Sequence, residues 1–76
     1  MKWFKTVYPN LRAEAARRNL TVRDLADVLD LSIPQTRRRL LNRANGGVDL
    51  TAYECHLLCE FFGKPFEWLF ETSDVA

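Results

Sequence analysis

The sequence predicts an all-α domain of five short helices, and three observations carry that prediction. At three places a Ser or Thr is followed three residues later by an acidic residue or Gln: Thr21 with Asp24, Ser32 with Gln35, and Thr51 with Glu54. Each fits a capping box, in which the hydroxyl accepts from an early helical amide and the later side chain reaches back to the cap. Behind each cap, apolar residues recur at helical spacing. Pro9, Pro34 and Pro65 fall at or just before first turns, where a missing amide costs nothing.

Taken in order, Pro9 precedes a helix from about Asn10 to Arg18, with Leu11 and Ala15 inward and Arg12, Arg17 and Arg18 outward. Thr21 caps a second helix whose stripe is Leu25, Ala26 and Leu29; the small Ala26 lets another helix cross closely. Asp30 takes the turn, since Asp tolerates the left-handed conformation better than most residues, and Leu31 points back to the core. Ser32 caps a third helix, Ile33 to Leu41, with Thr36 and Leu40 on its inner face. Asn45-Gly46-Gly47 forms a loop. Thr51 opens a fourth helix with the stripe Cys55, Leu58, Cys59 and Phe62, stopped by Gly63. Pro65 starts a short fifth helix with Phe66, Leu69 and Phe70.

Size and composition fit this reading. Seventy-six residues make one domain, 1–76, with an N-terminal extension over 1–8. So short a chain buries only about 60% of its unfolded surface, and a hydrophobic fraction of 47% with two Trp, five Phe and two Tyr supplies a dense core. No secretory signal and no membrane-spanning apolar run is expected, which makes the cytoplasm the expected location. Cys55 and Cys59 lie four apart on one helix face, where a bridge would distort the backbone. His56 sits beside them, but no second pair completes a metal site. The expectation is reduced thiols, Cys59 in the core, and no metal, cofactor or small-molecule ligand.

The net charge of +1 conceals a split. Met1 to Arg43 holds ten Lys or Arg and four acids, net +6; Ala44 to Ala76 holds one Lys and six acids, net −5. A polyanion responds to the local field and not to the average.

Two helices joined by a three-residue turn with a central apolar residue form a helix-turn-helix pattern. That geometry lays the second helix, Ile33 to Leu41, outside the domain, where it can enter a DNA major groove about 12 Å wide. Arg37, Arg38 and Arg39 fan out by about 100° each, so they cannot all face the core. Arg37 and Arg38 are placed to read bases, because a guanidinium fork matches guanine O6 and N7. Arg39 serves a phosphate or a neighbouring helix. Ile33 and Pro34 offer methyl contacts, and Gln35 reads an adenine or a phosphate unless its capping box consumes it.

The run Leu20-Thr21-x-x-Asp24-Leu25-Ala26-x-x-Leu29-x-Leu31-Ser32 resembles the Cro/repressor-type (xenobiotic-response-element-like) helix-turn-helix family, in particular its bacteriophage-repressor-like members. Tyr8 to Glu14 resembles the first helix of those members. Thr51 to Glu54 and Gly63-x-x-Phe66-Glu67-Trp68-Leu69-Phe70 resemble the fourth and fifth, so the likeness covers about residues 8 to 71. It implies a lambda-repressor-like five-helix domain that binds double-stranded operator DNA as a homodimer and regulates transcription, a nucleoid-associated role in a bacterial or phage-infected cell. It further implies base reading by Ile33, Pro34, Arg37 and Arg38, and phosphate contacts near Thr21 and Arg23 and near Arg43 and Asn45. Dimerisation through Lys64, Phe66 and Trp68 is likewise an implication of the resemblance. Three positions depart from the family pattern: Val22 stands where Gln is usual, Asp30 replaces the turn Gly, and the loop from Leu41 to Thr51 is longer and carries Gly46-Gly47.

An alternative is a protein-interaction module, an antirepressor or adaptor, that keeps the fold without binding DNA. The aromatics Trp3, Phe4, Phe61 and Trp68, outside the core stripes, motivate it. An enzyme is not expected: the single His56 is mid-helix and no nucleophile–base pair is visible.

Overall fold

The computed structural model describes residues 5–72. It is all-α: α1 (Pro9–Arg17), α2 (Val22–Leu29), α3 (Ile33–Leu41), α4 (Ala52–Phe62) and α5 (Phe66–Leu69), with a 3-10 turn, Arg43–Asn45, between α3 and α4. Among the described residues there is no strand. The predicted helix ends hold to within a residue or so; α1 begins at Pro9 and stops at Arg17.

All three capping boxes form, which is why the chain enters α2, α3 and α4 where it does. The amides of Asp24, Gln35 and Glu54 donate to the hydroxyls of Thr21, Ser32 and Thr51 at 3.4, 3.2 and 3.1 Å. The amides of those three caps donate back to the Asp24, Gln35 and Glu54 side chains at 2.7, 3.0 and 2.9 Å. Each such cap contributes about 1 kcal/mol. Asp30 ends α2 in the left-handed region, φ 58 and ψ 44. The Leu31 amide then turns back onto the Ala26 carbonyl at 3.0 Å, closing a tight helix–turn–helix. Asn19, φ 59, ends α1 in the same way.

Each α-helix gives the core one leucine with no exposure: Leu11, Leu25, Leu40, Leu58 and Leu69. Burying each stabilises by about 1.5–3 kcal/mol. Ala15, Ala26, Leu29 and Phe62 fill the spaces between them. Helix α2 packs on α3 and α4, and α5 on α4 and α1. The Asn10 amide locks α5 down by donating to the Trp68 carbonyl at 2.8 Å.

The segment expected to be a simple extension is in part structural. Tyr8 is buried edge-on against Phe70, ring centroids 5.3 Å apart. The Thr6 hydroxyl and the Val7 amide both donate to the Leu40 carbonyl, at 2.9 and 3.1 Å. Trp3 and Phe4 lie outside the described residues.

The stripe on α4 differs from the expected one. Glu54, Leu58 and Phe62 are buried, whereas Cys55 and Cys59 are only half-buried on its flank. Glu54, on the buried face, meets Arg39 of α3 at 2.9 Å. Just past α1, Arg18 is exposed as expected, yet it is not free. Its guanidinium donates to the Phe62 and Phe61 carbonyls at 2.7 and 3.3 Å, sits 5.1 Å from the Phe62 ring centroid, and lies 3.4 Å from buried Glu14. A cation there satisfies the orphan carbonyls at the end of α4 and opposes the negative end of its dipole. Arg17 also pairs with Glu14.

Burial leaves three acids reluctant to ionise. Desolvation raises the Cys55, Cys59 and Tyr8 pKa values; neighbouring Cys59 and Glu54 add to the first, Glu67 to the second, and Cys55 and Asp49 to the third. A raised folded pKa means that the unfolded chain loses its proton first, so stability falls as pH rises. The expected result is a melting temperature that declines from about pH 9, near the ordinary thiol value of 9.0. Cys55→Ser with Cys59→Ser should flatten the start of that decline; an unchanged curve would contradict the assignment.

Candidate nucleic-acid interface

On α3, Thr36 and Leu40 are fully buried. At 100° per residue, Arg38 lies about 180° from their mean direction, with Arg37 and Arg39 about 80° to either side. The three arginines accordingly have different surroundings. Arg37 and Arg38 are exposed, and their side chains make no ion pair or hydrogen bond among the described residues. Arg39 is 23% exposed, and its Nε donates to Glu54 Oε1 at 2.9 Å. The same oxygen accepts the Thr51 amide at 2.9 Å. One carboxylate therefore caps α4 and ties it to α3, and of the two roles expected for Arg39 the helix neighbour is the one formed.

The first turn of α3 is less available than its sequence suggests. Ile33 is half-buried, leaving Pro34 as its exposed apolar residue. Gln35 is exposed, but its Oε1 is held by the Ser32 amide and hydroxyl at 3.0 and 3.1 Å. Only its amide hydrogens remain for a ligand, so bidentate reading of adenine would break the cap. Thr21 is similarly committed: its amide and hydroxyl both donate to Asp24 Oδ2, at 2.7 and 3.1 Å. The Asp24 charge occupies the very helix N-terminus expected to hold phosphate. Arg23, exposed and without a partner among the described residues, is the cation left there.

The loop after α3 is ordered against the helix. Asn42 leaves α3 at φ 56 and ψ 173, a backbone region costly for a residue with a Cβ. Its carbonyl accepts the Asn45 and Gly47 amides at 3.3 and 2.8 Å, and its side chain accepts from Asn45 Nδ2 at 3.1 Å. Val48 donates to the Arg38 carbonyl at 3.1 Å. Arg43 is 84% exposed and sits 3.7 Å from Asp49 Oδ2, an exposed pair that contributes little. Arg43 and Asn45 thus stand beside the end of α3 that carries Arg38. Sequence reasoning passed over Asn42 and Glu54; a Glu at the third capping position signalled only the cap.

No protein-family model, curated protein or solved structure matches this chain.

A second surface lies on the far half. Ala52, Cys55, His56, Cys59, Lys64 and Phe66 line an open, largely apolar groove of about 370 Å³ between α4 and α5. Phe66 and Tyr53 are 55% and 69% exposed. Trp68 is half-buried against the core with Lys64 Nζ 5.4 Å from its ring centroid, while Phe61 is 41% exposed. Among the described residues no group of three or more His, Cys, Asp or Glu converges to hold a metal ion, and no helix is long and apolar enough to cross a membrane.

Proposed function

We propose that this protein is a sequence-specific DNA-binding regulator of transcription, of the repressor or Cro kind, and that α3 is its reading helix. The observation that carries the reading is the outer face of α3. Arg37 and Arg38 stand there exposed and unpaired among the described residues, while Arg39 is turned inward onto Glu54. Two solvated cations on a protruding helix suit guanine edges and phosphates. The flanking cations Arg23 and Arg43 extend the same basic half and serve phosphates. Glu60 and Glu71 belong to the acidic half of the sequence, whereas Asp49 stands beside Arg43.

The protein acts as a homodimer on its operator. The domain measures 31 × 28 × 23 Å, whereas successive major grooves on one face of B-DNA are about 34 Å apart. One copy on each of two such grooves is the arrangement proposed. Exposed Phe66, with Lys64 and Trp68 beside it, is the surface assigned to that contact. The same apolar groove supports the second reading, a protein-interaction module without DNA binding.

Selection of bound duplexes from a random DNA pool tests both. The expected result is an enriched motif with two-fold symmetry and half-sites one helical turn apart. A pool that stays random after selection overturns the DNA reading and favours the interaction module.

A further inference from the structure

We propose that Gly47 is a positioning residue: it lets the loop 42–49 lie directly on the last turn of α3 and so fixes Arg43 relative to Arg38. This rests on the DNA-binding reading above and assigns one role within it. The two glycines of the loop serve different needs. Gly46 is needed for its conformation, φ +85, and has open space around it. Gly47 is needed for space. A Cβ there would lie 2.1 Å from the Arg38 carbonyl oxygen and 3.0 Å from the Leu41 Cβ. The first of these is helix backbone, which cannot swing aside as the tip of a side chain can.

That close approach is what brings the Val48 amide to the Arg38 carbonyl at 3.1 Å and the Gly47 amide to the Asn42 carbonyl at 2.8 Å. The loop's return leg is thereby bonded to the residue whose side chain faces outward from α3. The 3-10 turn Arg43–Asn45 is held between these anchors, with the Gly46 amide donating to the Arg43 carbonyl at 3.3 Å. Asp49 also meets Arg43, its Oδ2 3.7 Å from the guanidinium and its Oδ1 accepting the Arg43 amide at 3.2 Å, but both contacts are solvent-exposed and weak. The backbone contact at Gly47 sets the position of Arg43.

The test uses the salt dependence of binding to a selected duplex, because each phosphate neutralised contributes about 0.9 to the slope of log K against log salt. Arg43→Ala is expected to reduce the slope by about 0.9. Gly47→Ala is expected to reduce it by the same amount, and Gly47→Ala with Arg43→Ala by no more than either alone. Gly46→Asn, which suits a left-handed residue, keeps the wild-type slope. Asp49→Asn, which removes the exposed ion pair but keeps an oxygen to accept the Arg43 amide, also keeps it.

A Gly47→Ala slope equal to wild type overturns the proposal, as does an Arg43→Ala effect that persists in the Gly47→Ala background. An Asp49→Asn slope that drops to the Arg43→Ala value assigns the positioning to the ion pair instead. Hydrogen exchange of the Val48 amide in the free protein is the readout independent of DNA: slow in wild type and fast in Gly47→Ala. Fast exchange in wild type overturns the proposal even if Gly47→Ala fails to fold. Wild type that binds no duplex at all defeats the DNA-binding reading itself, and the role for Gly47 with it.

Discussion

Arg38→Ala is expected to lower affinity for the selected operator by about 10- to 100-fold, since a good bidentate base contact is worth about 1–3 kcal/mol of discrimination. Binding to unrelated duplex should fall much less, by no more than one phosphate contact. The split follows from geometry. Arg38 points directly away from buried Thr36 and Leu40 and has no protein partner among the described residues. Its removal therefore leaves no buried group unsatisfied, and the fold should melt within about 0.5 kcal/mol of wild type. Gel-shift titration of matched and mismatched duplexes, alongside a thermal melt, separates the two effects. Equal losses on both duplexes would reassign Arg38 to the phosphate backbone.

Its neighbour should behave in the opposite way. Arg39→Ala removes the partner of a carboxylate that is 9% exposed, and stranding a buried charge costs about 3 kcal/mol or more. For a domain of this size that lowers the melting temperature by about 12–24 °C. Any loss of DNA binding should be recovered by cooling below the new midpoint. Arg39→Met combined with Glu54→Gln is the informative companion. Gln keeps an acceptor for the Thr51 amide while removing the unpaired charge, so stability should return most of the way. A double variant as unstable as Arg39→Ala would mean that the guanidinium acts through packing and not through Glu54. Three adjacent arginines thus divide into two outward cations, Arg37 and Arg38, and one structural tie, Arg39, distinguishable by which property each loses.

The fold was legible because its punctuation is local. Ser32 and Gln35, or Thr51 and Glu54, satisfy each other within one turn, so the sequence alone places the helix starts. Asp30 was readable as a left-handed stop for the same reason. What escaped the sequence was long-range pairing. Glu54 reads as a cap alone, and its bond to Arg39, fifteen residues away, is not in the local spacing. Arg18 is outward as its spacing says, but its bond to the end of α4, forty-four residues on, is not in that spacing. Asn42 and Gly47 owe their roles to how the loop folds back on α3, which no residue spacing encodes. At the candidate interface, the outward Arg38 followed from periodicity, whereas Arg37 and Arg39 are equivalent by helical angle and only the bond to Glu54 tells them apart. The commitment of Gln35 and Thr21 to their own caps limits two contacts that the residue types alone allow.

The central claim is that the outer face of α3 reads DNA. The most direct measurement is fluorescence anisotropy of the full chain with a selected duplex and a scrambled one, between about 50 and 200 mM salt. The prediction is tight binding to the selected duplex, with log K falling linearly by about 0.9 for every phosphate neutralised. At every salt concentration the scrambled duplex should bind at least about 1,000-fold more weakly. Absence of binding to either duplex, or affinity that is the same for both and indifferent to salt, would contradict it.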